Sequence, residues 1–498
     1  MLTDTAYGDS RLSMWLRVRE FAVPPSMIET ATARRHAGDW AGAGAAAGFD
    51  IDLNLRAVAR TYGQGLAARL RADLRHLAPD LLRWHMPRIA PRGLLRPGLT
   101  ITLARYETEG GAGSGSGSAG RAGRAGRAGR AGRAGRAGEH PLHLVARTPP
   151  AWADGGQRIS LTLWDGVRDG PGDRRHPHPR PDRRFRLDLH RHLWDARRTD
   201  ELRERSGAEQ RSPANGRSAE PHGDPDLVPP GRGCAVGRWA DEAGILLRAE
   251  GRTTGTVIVR LGGRHRLALR PAAEANGPGQ HAVRIEAAPP DGHGPALPVL
   301  PDAATWVPPD LELLRTAAIE PDRLHPLVTS ALAPDLSPLP GGERDPDRRP
   351  HPAGAPRIVE CRGAQHRIAL VDGVLAALDH DAAEIRREEL LVALTGTPLP
   401  CLRAIDEAHR RPDCLTGVRE RLDHGDTAGA LAVVEGLVGP DALLRTGALR
   451  DALEQAAQRR LAYGLYRAGL AGPAPGRLRP APRRPDDHRT HPRHATPR

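Results

Sequence analysis

The chain is 498 residues long, carries 73 basic residues that are all arginine, and has a formal charge of +13. The absence of lysine excludes Schiff-base enzymes, Walker A nucleotidases, protein kinases and Ser-Lys hydrolases, each of which needs an ε-amino group at its reacting centre. Only three Phe and five Tyr are present, so a core must come from Leu, Val and Ala with eight Trp as large anchors, which favours helix packing.

From Pro25 to about Met86 the pattern is helical, with Asp39, Asp50 and Asp52 as candidate N-caps and Pro87 as a stop. Leu66, Leu70, Leu74, Leu77 and Leu81 recur at steps of three and four, forming one apolar stripe that Pro79 divides. Strand patterns follow at Leu99–Tyr106, Pro141–Arg147 and Arg158–Trp164, the last alternating Ile159, Leu161 and Leu163 with Ser160 and Thr162. Between the first two lie a Gly-Ser run and six Arg-Ala-Gly units. Glycine at every third position without proline is not a collagen sequence, so the array reads as a flexible hairpin-loop insertion. Low-complexity stretches at 169–184 and 206–232 flank Phe185, Leu187 and Leu189, which alternate like a strand. A helix is expected over Ala235–Ala249. The clearest hairpin is Val257–Leu261 and His265–Leu269, joined by Gly262-Gly263. His281–Ala287 adds a strand, and helical patterning resumes over Pro309–Ala333.

The Pro- and Arg-rich stretch Pro334–Pro356 is the best domain boundary. Beyond it, Arg357–Cys361 and Gln365–Val371 form a second hairpin with a third short strand at Val374–Leu378, and Asp381 to about Leu470 reads as helix. The expected architecture is α+β. A helical unit runs into the first strand (1–106), followed by a disordered insertion (107–140) and an antiparallel sheet with helices and low-complexity loops (141–333). A linker (334–356), a hairpin-plus-helices domain (357–470) and a disordered basic tail (471–498) complete the chain.

Two short patterns repeat. His265-Arg266-Leu267-Ala268-Leu269 is echoed by His366-Arg367-Ile368-Ala369-Leu370, by duplication or by convergence on a good strand. Gly38-Asp39-Trp40-Ala41-Gly42 is echoed by Gly425-Asp426-Thr427-Ala428-Gly429, where Asp after Gly caps a helix and small residues admit a close neighbour. This second pattern is similar to the turn and small-residue face of tetratricopeptide-like helix pairs, without their period of roughly 34 residues. A packing hairpin is the favoured explanation.

Most of the positive charge is local. Arg121, Arg124, Arg127, Arg130, Arg133 and Arg136 give the insertion +6, the tail contributes +5, and the remainder holds only +2. The expectation is therefore a folded body with little pull on phosphate, any nucleic-acid contact running weakly through the arms. Dispersed cysteines, the lack of a leader pattern at the start and the lack of an apolar run of about 20 residues point to a cytoplasmic protein with no membrane contact.

Candidate chemistry is sparse. His176, His178, His190 and His192 form two His-x-His pairs, read as solvated loop and strand residues rather than metal ligands. His380, Glu384 and Glu388 share a helix face, near His366 and His409 in sequence, and could perform acid/base work, although Asp381 with Glu384 also resembles a capping box. Cys361, Cys401 and Cys414 lack a paired spacing and read as packing residues. Trp84-His85-Met86-Pro87 reads as a helix end anchored by an indole. With no catalytic signature, no cofactor motif and no metal spacing, the sequence favours a non-enzymatic module that docks other proteins. Weak nucleic-acid association is the alternative, and a metal-dependent hydrolase using His380 and Glu384 is a third.

Overall fold

The computed structural model describes residues 11–107, 141–166, 176–208, 222–223, 227–229, 233–262, 265–271, 283–288, 297–334, 357–361, 363–371, 374–395, 400–410, 415–438, 444 and 446–471. The Arg-Ala-Gly array, the Pro334–Pro356 boundary beyond residue 334 and almost all of the basic tail lie outside them. The fold is α+β, as the sequence patterns indicate.

The chain enters as a helix from residue 11 that loosens into a π-helical turn at Val18–Ala22. Helix α1 (Pro25–His36) and helix α2 (Trp40–Ala46) meet at a tight corner, and α3 (Leu55–Tyr62), α4 (Gln64–His76) and α5 (Pro79–His85) complete the helical unit. The leucine stripe is buried as its spacing demands, and the helix breaks between His76 and Pro79, where proline removes a backbone donor.

Two of the three expected caps do not cap helices: Asp50 is a strand residue and Asp52 directly follows the strand. Asp39 accepts from the Gly42 amide, but Phe49–Ile51 forms β1, which pairs in parallel with Ile159–Leu161, and Asn54 caps α3. Asp50 and Asp52 then face arginines and a tyrosine rather than helix amides: Arg158 lies 3.0 Å from Asp50, Tyr463 donates to Asp50, and Arg467 pairs with Asp52.

The ribbon β2 (Arg88–Ile89) and β3 (Leu94–Leu95) leads into the first sheet. Its strands β4 (Thr100–Tyr106), β5 (Leu142–Arg147) and β6 (Ile159–Trp164) are antiparallel neighbours, with β1 on the outer edge in the order β1-β6-β5-β4. Phe185, Leu187 and Leu189 do not form a strand. Two 3-10 turns, Leu187–Leu189 and Arg191–Leu193, bury Phe185, Leu187 and Leu193 against β4 and the helical unit. One large core joins the α1–α5 helices to this sheet.

A second sheet, ordered β7-β10-β9-β8, comprises β7 (His222–Gly223), β8 (Val257–Arg260), β9 (Arg266–Pro271) and β10 (Val283–Ala287), covered by α6 (Trp239–Ala249). The expected helix over Pro309–Ala333 is broken into α7 (Pro309–Arg315) and α8 (Pro326–Leu332), each opened by a proline at its first turn. Beyond residue 356, β11 (Arg357–Cys361), β12 (Ala364–Val371) and β13 (Val374–Ala377) form an antiparallel sheet. The helices α9 (Ala382–Thr395), α10 (Pro400–Arg410), α11 (Leu415–His424), α12 (Thr427–Val438) and α13 (Ala448–Ala468) follow. Both His-Arg echoes fall on interior strands, the first with Arg266–Leu269 in β9 and His265 just before it, the second within β12.

The Gly-Asp echo is a repeated corner. In the first, the Asp39 amide donates to Arg34 O, Arg34 Nη1 lies 2.9 Å from Asp39 Oδ2, and the Gly42 amide donates to Asp39 Oδ1. In the second, Asp426 repeats each contact with Arg421 and Gly429, the guanidinium at 2.8 Å. Gly38 (φ +78°) and Gly425 (φ +89°) both need the left-handed region that an L side chain resists. The second corner also abuts the body, since a Cβ on Gly425 would lie 2.1 Å from Gly156 O.

Candidate functional site

Helix α5 carries the polar groups that organise the interior. It starts at Pro79, whose fixed φ suits a first turn, and ends ahead of Pro87, so it spans only two turns. Asp80, Arg83 and Trp84 are buried, and the His85 side chain is 4% exposed.

At its C-terminal end lies a cavity of about 320 Å³ between the first helix, β4, the 3-10 turns and the segment before α7. That volume falls at the lower end of the roughly 300–1,000 Å³ typical of small-molecule sites. Trp15, Met86, Ile101, Phe185, Leu193 and Trp306 form apolar walls, and Arg11, Arg88, Arg96, Arg184 and Arg186 bring positive charge. Three of these cations are neutralised. Arg11 meets Glu312 at 3.1 Å, Arg184 grips Asp302 through two bonds at 2.8 and 3.1 Å, and Arg186 holds Asp188 and Glu250. Burial raises the carboxyls of Asp302 and Glu312 above the usual range, with Arg184 and Arg11 opposing it.

His85 lines this cavity with its Nε2 sealed from solvent and lacking a hydrogen-bond partner; the nearest carboxylate oxygen, on Asp310, is 3.8 Å away. Asp310 is already engaged by Trp84 Nε1 at 2.9 Å. Burial pushes the His85 imidazole down to about 4 against the pull of Asp310, with His325 and Arg88 adding to the depression. The ring is therefore neutral near pH 7. Behind it, the Leu327 amide donates to His325 Nδ1 (3.1 Å), so His325 carries its proton on Nε2 and donates it to Asp80 Oδ2 at 2.8 Å.

The sequence-derived candidates occupy three other places. His366 and His380 stack with ring centroids 4.3 Å apart, and His380 Nδ1 lies 3.7 Å from Glu384 Oε2. Glu388 and His409 are on α9 and α10, with side chains outside the described residues. Cys401 packs with Ile368, Ala377 and Ile405 in a small apolar cluster. Arg121, Arg124, Arg127, Arg130, Arg133 and Arg136 lie outside the described residues.

His176, His190 and His192 are not solvated, as the sequence had led us to expect, but buried. His176 meets Thr148 O at 2.9 Å, and His190 reaches Glu242 at 3.2 Å and Arg186 O at 3.1 Å. Arg205 grips Glu242 through two bonds of 2.8 Å and Arg238 adds a third contact. Burial works against the charged Glu242, but His190 and Arg205 outweigh it and hold the carboxyl far below its usual range. His192 is driven neutral by burial and by His190. Among the described residues, no group of three His, Cys, Asp or Glu side chains is placed to hold a metal ion.

Sequence reasoning passed over the cavity because its residues come from five separated stretches between Arg11 and Pro309. The usable signal was Trp84-His85-Met86-Pro87, a histidine fixed at a proline-stopped helix end. Comparison with protein families, curated proteins and solved structures finds no match to this chain.

Proposed function

We propose that the protein is a non-enzymatic binding protein whose ligand is a small, largely apolar molecule held in the cavity beside His85. The observation that carries this reading is a buried imidazole with an unpartnered nitrogen set into an apolar, ligand-sized space. An unmet polar group in such a site costs stability unless a ligand or water answers it. Binding is favoured over catalysis because the lining holds no hydroxyl or thiol nucleophile, and an imidazole titrating near 4 is a weak base at neutral pH. This reading keeps the expectation of a non-enzymatic protein but departs from that of a module that docks other proteins. Titration with the neutral fluorophore N-phenyl-1-naphthylamine should give saturable one-to-one binding that Ala303→Trp, which fills the cavity, abolishes without lowering Tm. Unchanged binding in that variant would overturn the proposal.

A second reading, nucleic-acid contact, gains support from the folded body as well as the arms. Arg56, Arg60, Arg71 and Arg75 are exposed on α3 and α4 with no side-chain ion pair among the described residues, and the one acid on these helices, Asp73, is buried. Single-stranded DNA should bind weakly at low salt, and changing these four arginines to serine should reduce that binding and its salt dependence. Retention of full binding by the quadruple variant would reject this face.

A further inference from the structure

Arg83, buried, and Arg88, half-buried beside it, are neighbouring arginines, and neither forms an ion pair with a carboxylate among the described residues. Arg83 is 1% exposed and spends its donors on main-chain carbonyls of Ala22, Ala47, Gln157 and His424. Arg88 donates to Gly93 O at 2.9 Å and to Arg83 O at 2.6 Å, while its Nε, sealed from solvent, has no acceptor. Carbonyl dipoles satisfy hydrogen bonds but do not cancel a charge, so this corner keeps a positive potential in a medium that screens it poorly. Its neighbour His424 responds to that potential: burial, Arg88 and Arg83 hold the ring neutral against a backbone hydrogen bond at Arg92, with Glu420 Oε2 3.8 Å from its Nε2. Of this pair, only Arg88 lines the cavity. The other cations of the wall are matched by Glu312, Asp302, Asp188 and Glu250, except Arg96, which is exposed at its edge and forms no side-chain ion pair among the described residues.

Building on the small-molecule reading, we infer that the ligand is a singly charged carboxylate amphiphile. Its head neutralises Arg88, with Arg96 beside it, and its hydrocarbon or aromatic body lies against Trp15, Phe185, Leu193 and Trp306. A monoanion fits better than a phosphate dianion because Asp302 is on the same wall and Asp310 lies just behind His85. A second negative charge would meet these carboxylates with only Arg96, exposed at the edge and screened by solvent, left to answer it. The apolar walls supply affinity and the arginine supplies selection for the head group.

The test uses the full chain loaded with N-phenyl-1-naphthylamine, displaced at pH 7.5 and fixed ionic strength by octanoate or by octan-1-ol, which share a tail and differ in the head. Octanoate should displace the probe at a concentration about tenfold lower than octanol, the effect of one charge-assisted bond in a dry site. Arg88→Gln should reduce that ratio to below about threefold while leaving the octanol midpoint in place, as loss of the charged partner requires. Because Arg88 is half-buried and bonded to main-chain carbonyls, Arg96→Gln provides a second variant at the exposed edge, expected to narrow the ratio in part. The comparison in the unmodified chain depends on neither. Equal displacement by acid and alcohol would overturn the carboxylate assignment and leave the cavity as an apolar site. Displacement by neither would overturn the small-molecule reading itself.

Discussion

Replacing Arg83 with methionine should cost the protein about 3 kcal/mol, because its acceptors are main-chain carbonyls that no other mutation can remove. Three of its bonds are 2.9 Å or shorter, to Ala22, Gln157 and His424, with a fourth at 3.4 Å to Ala47. Charge-assisted bonds contribute roughly 1.5–3 kcal/mol each, so three account for at least about 4–5 kcal/mol. Part returns because methionine no longer buries a charge, a penalty of several kcal/mol per ion after relaxation. The remainder is the desolvation of carbonyls left without donors. The loss should also have a direction. The bond to His424 O ties α11 to the body, alongside Arg17–Glu420 at 2.6 Å and the Arg459–Asp423–Arg92 bridge. Urea unfolding followed by circular dichroism gives the magnitude, and limited proteolysis should cut the chain sooner between residues 334 and 415. A loss below about 1 kcal/mol, or an unchanged digestion pattern, would refute the argument that one guanidinium holds these segments together.

Acid should destabilise the protein before its carboxylates titrate. Burial lowers His85 and His143 to about 4 and His424 to about 3, below the unfolded value of 6.5, so the unfolded chain takes up protons first. Stability is therefore full above about pH 6.5 and falls toward pH 4, with a limiting slope of about 4 kcal/mol per pH unit if all three act independently; a flat Tm over that window would contradict their burial as neutral rings. Gly425→Ala should cost about 2 kcal/mol or more, because it combines a positive φ with a backbone clash against Gly156 that neither chain segment can yield to cheaply; chemical denaturation measures it. Asp426→Ala should destabilise by about 1–2 kcal/mol through loss of its helix cap. Asp39→Ala should cost less, since its side chain is 45% exposed against 13% for Asp426; equal losses would mean that burial of the corner adds nothing.

Much of the fold could be read because local patterns and tertiary demands agree. The leucine stripe of α4 and α5, the alternation in β6 and the paired-glycine hairpin of β8 and β9 each present one apolar face to a core. Where the reading failed, a long-range partner had decided the outcome. Asp50 and Asp52 have the chemistry of caps, but Arg158, Tyr463 and Arg467 hold them in and beyond a parallel edge strand. Phe185, Leu187 and Leu189 have strand periodicity over too short a span, and with two successive 3-10 turns Phe185 and Leu187 are buried without a continuous ladder. The histidines of the His-x-His pairs carry no local mark of burial. Arg205, Arg238 and Glu242 create the polar setting of His190 and His192, and Thr148 that of His176.

Net charge hides the placement of individual arginines for a more general reason. In a chain whose only cationic side chains are guanidiniums, one residue type has to fill roles that differ in burial and in partner. Arg34 and Arg421 brace two capped corners, Arg83 and Arg88 are spent on carbonyls inside the body, and Arg56, Arg60, Arg71 and Arg75 face solvent. Sequence composition adds these as equal unit charges. A near-neutral sum then hides two places of opposite character, an exposed basic face and a sealed positive corner against an apolar cavity. The second is the more selective of the two, because a guanidinium that has lost its water and gained no counter-ion favours an anion that can enter with it, and the narrow apolar walls restrict which anions can do so.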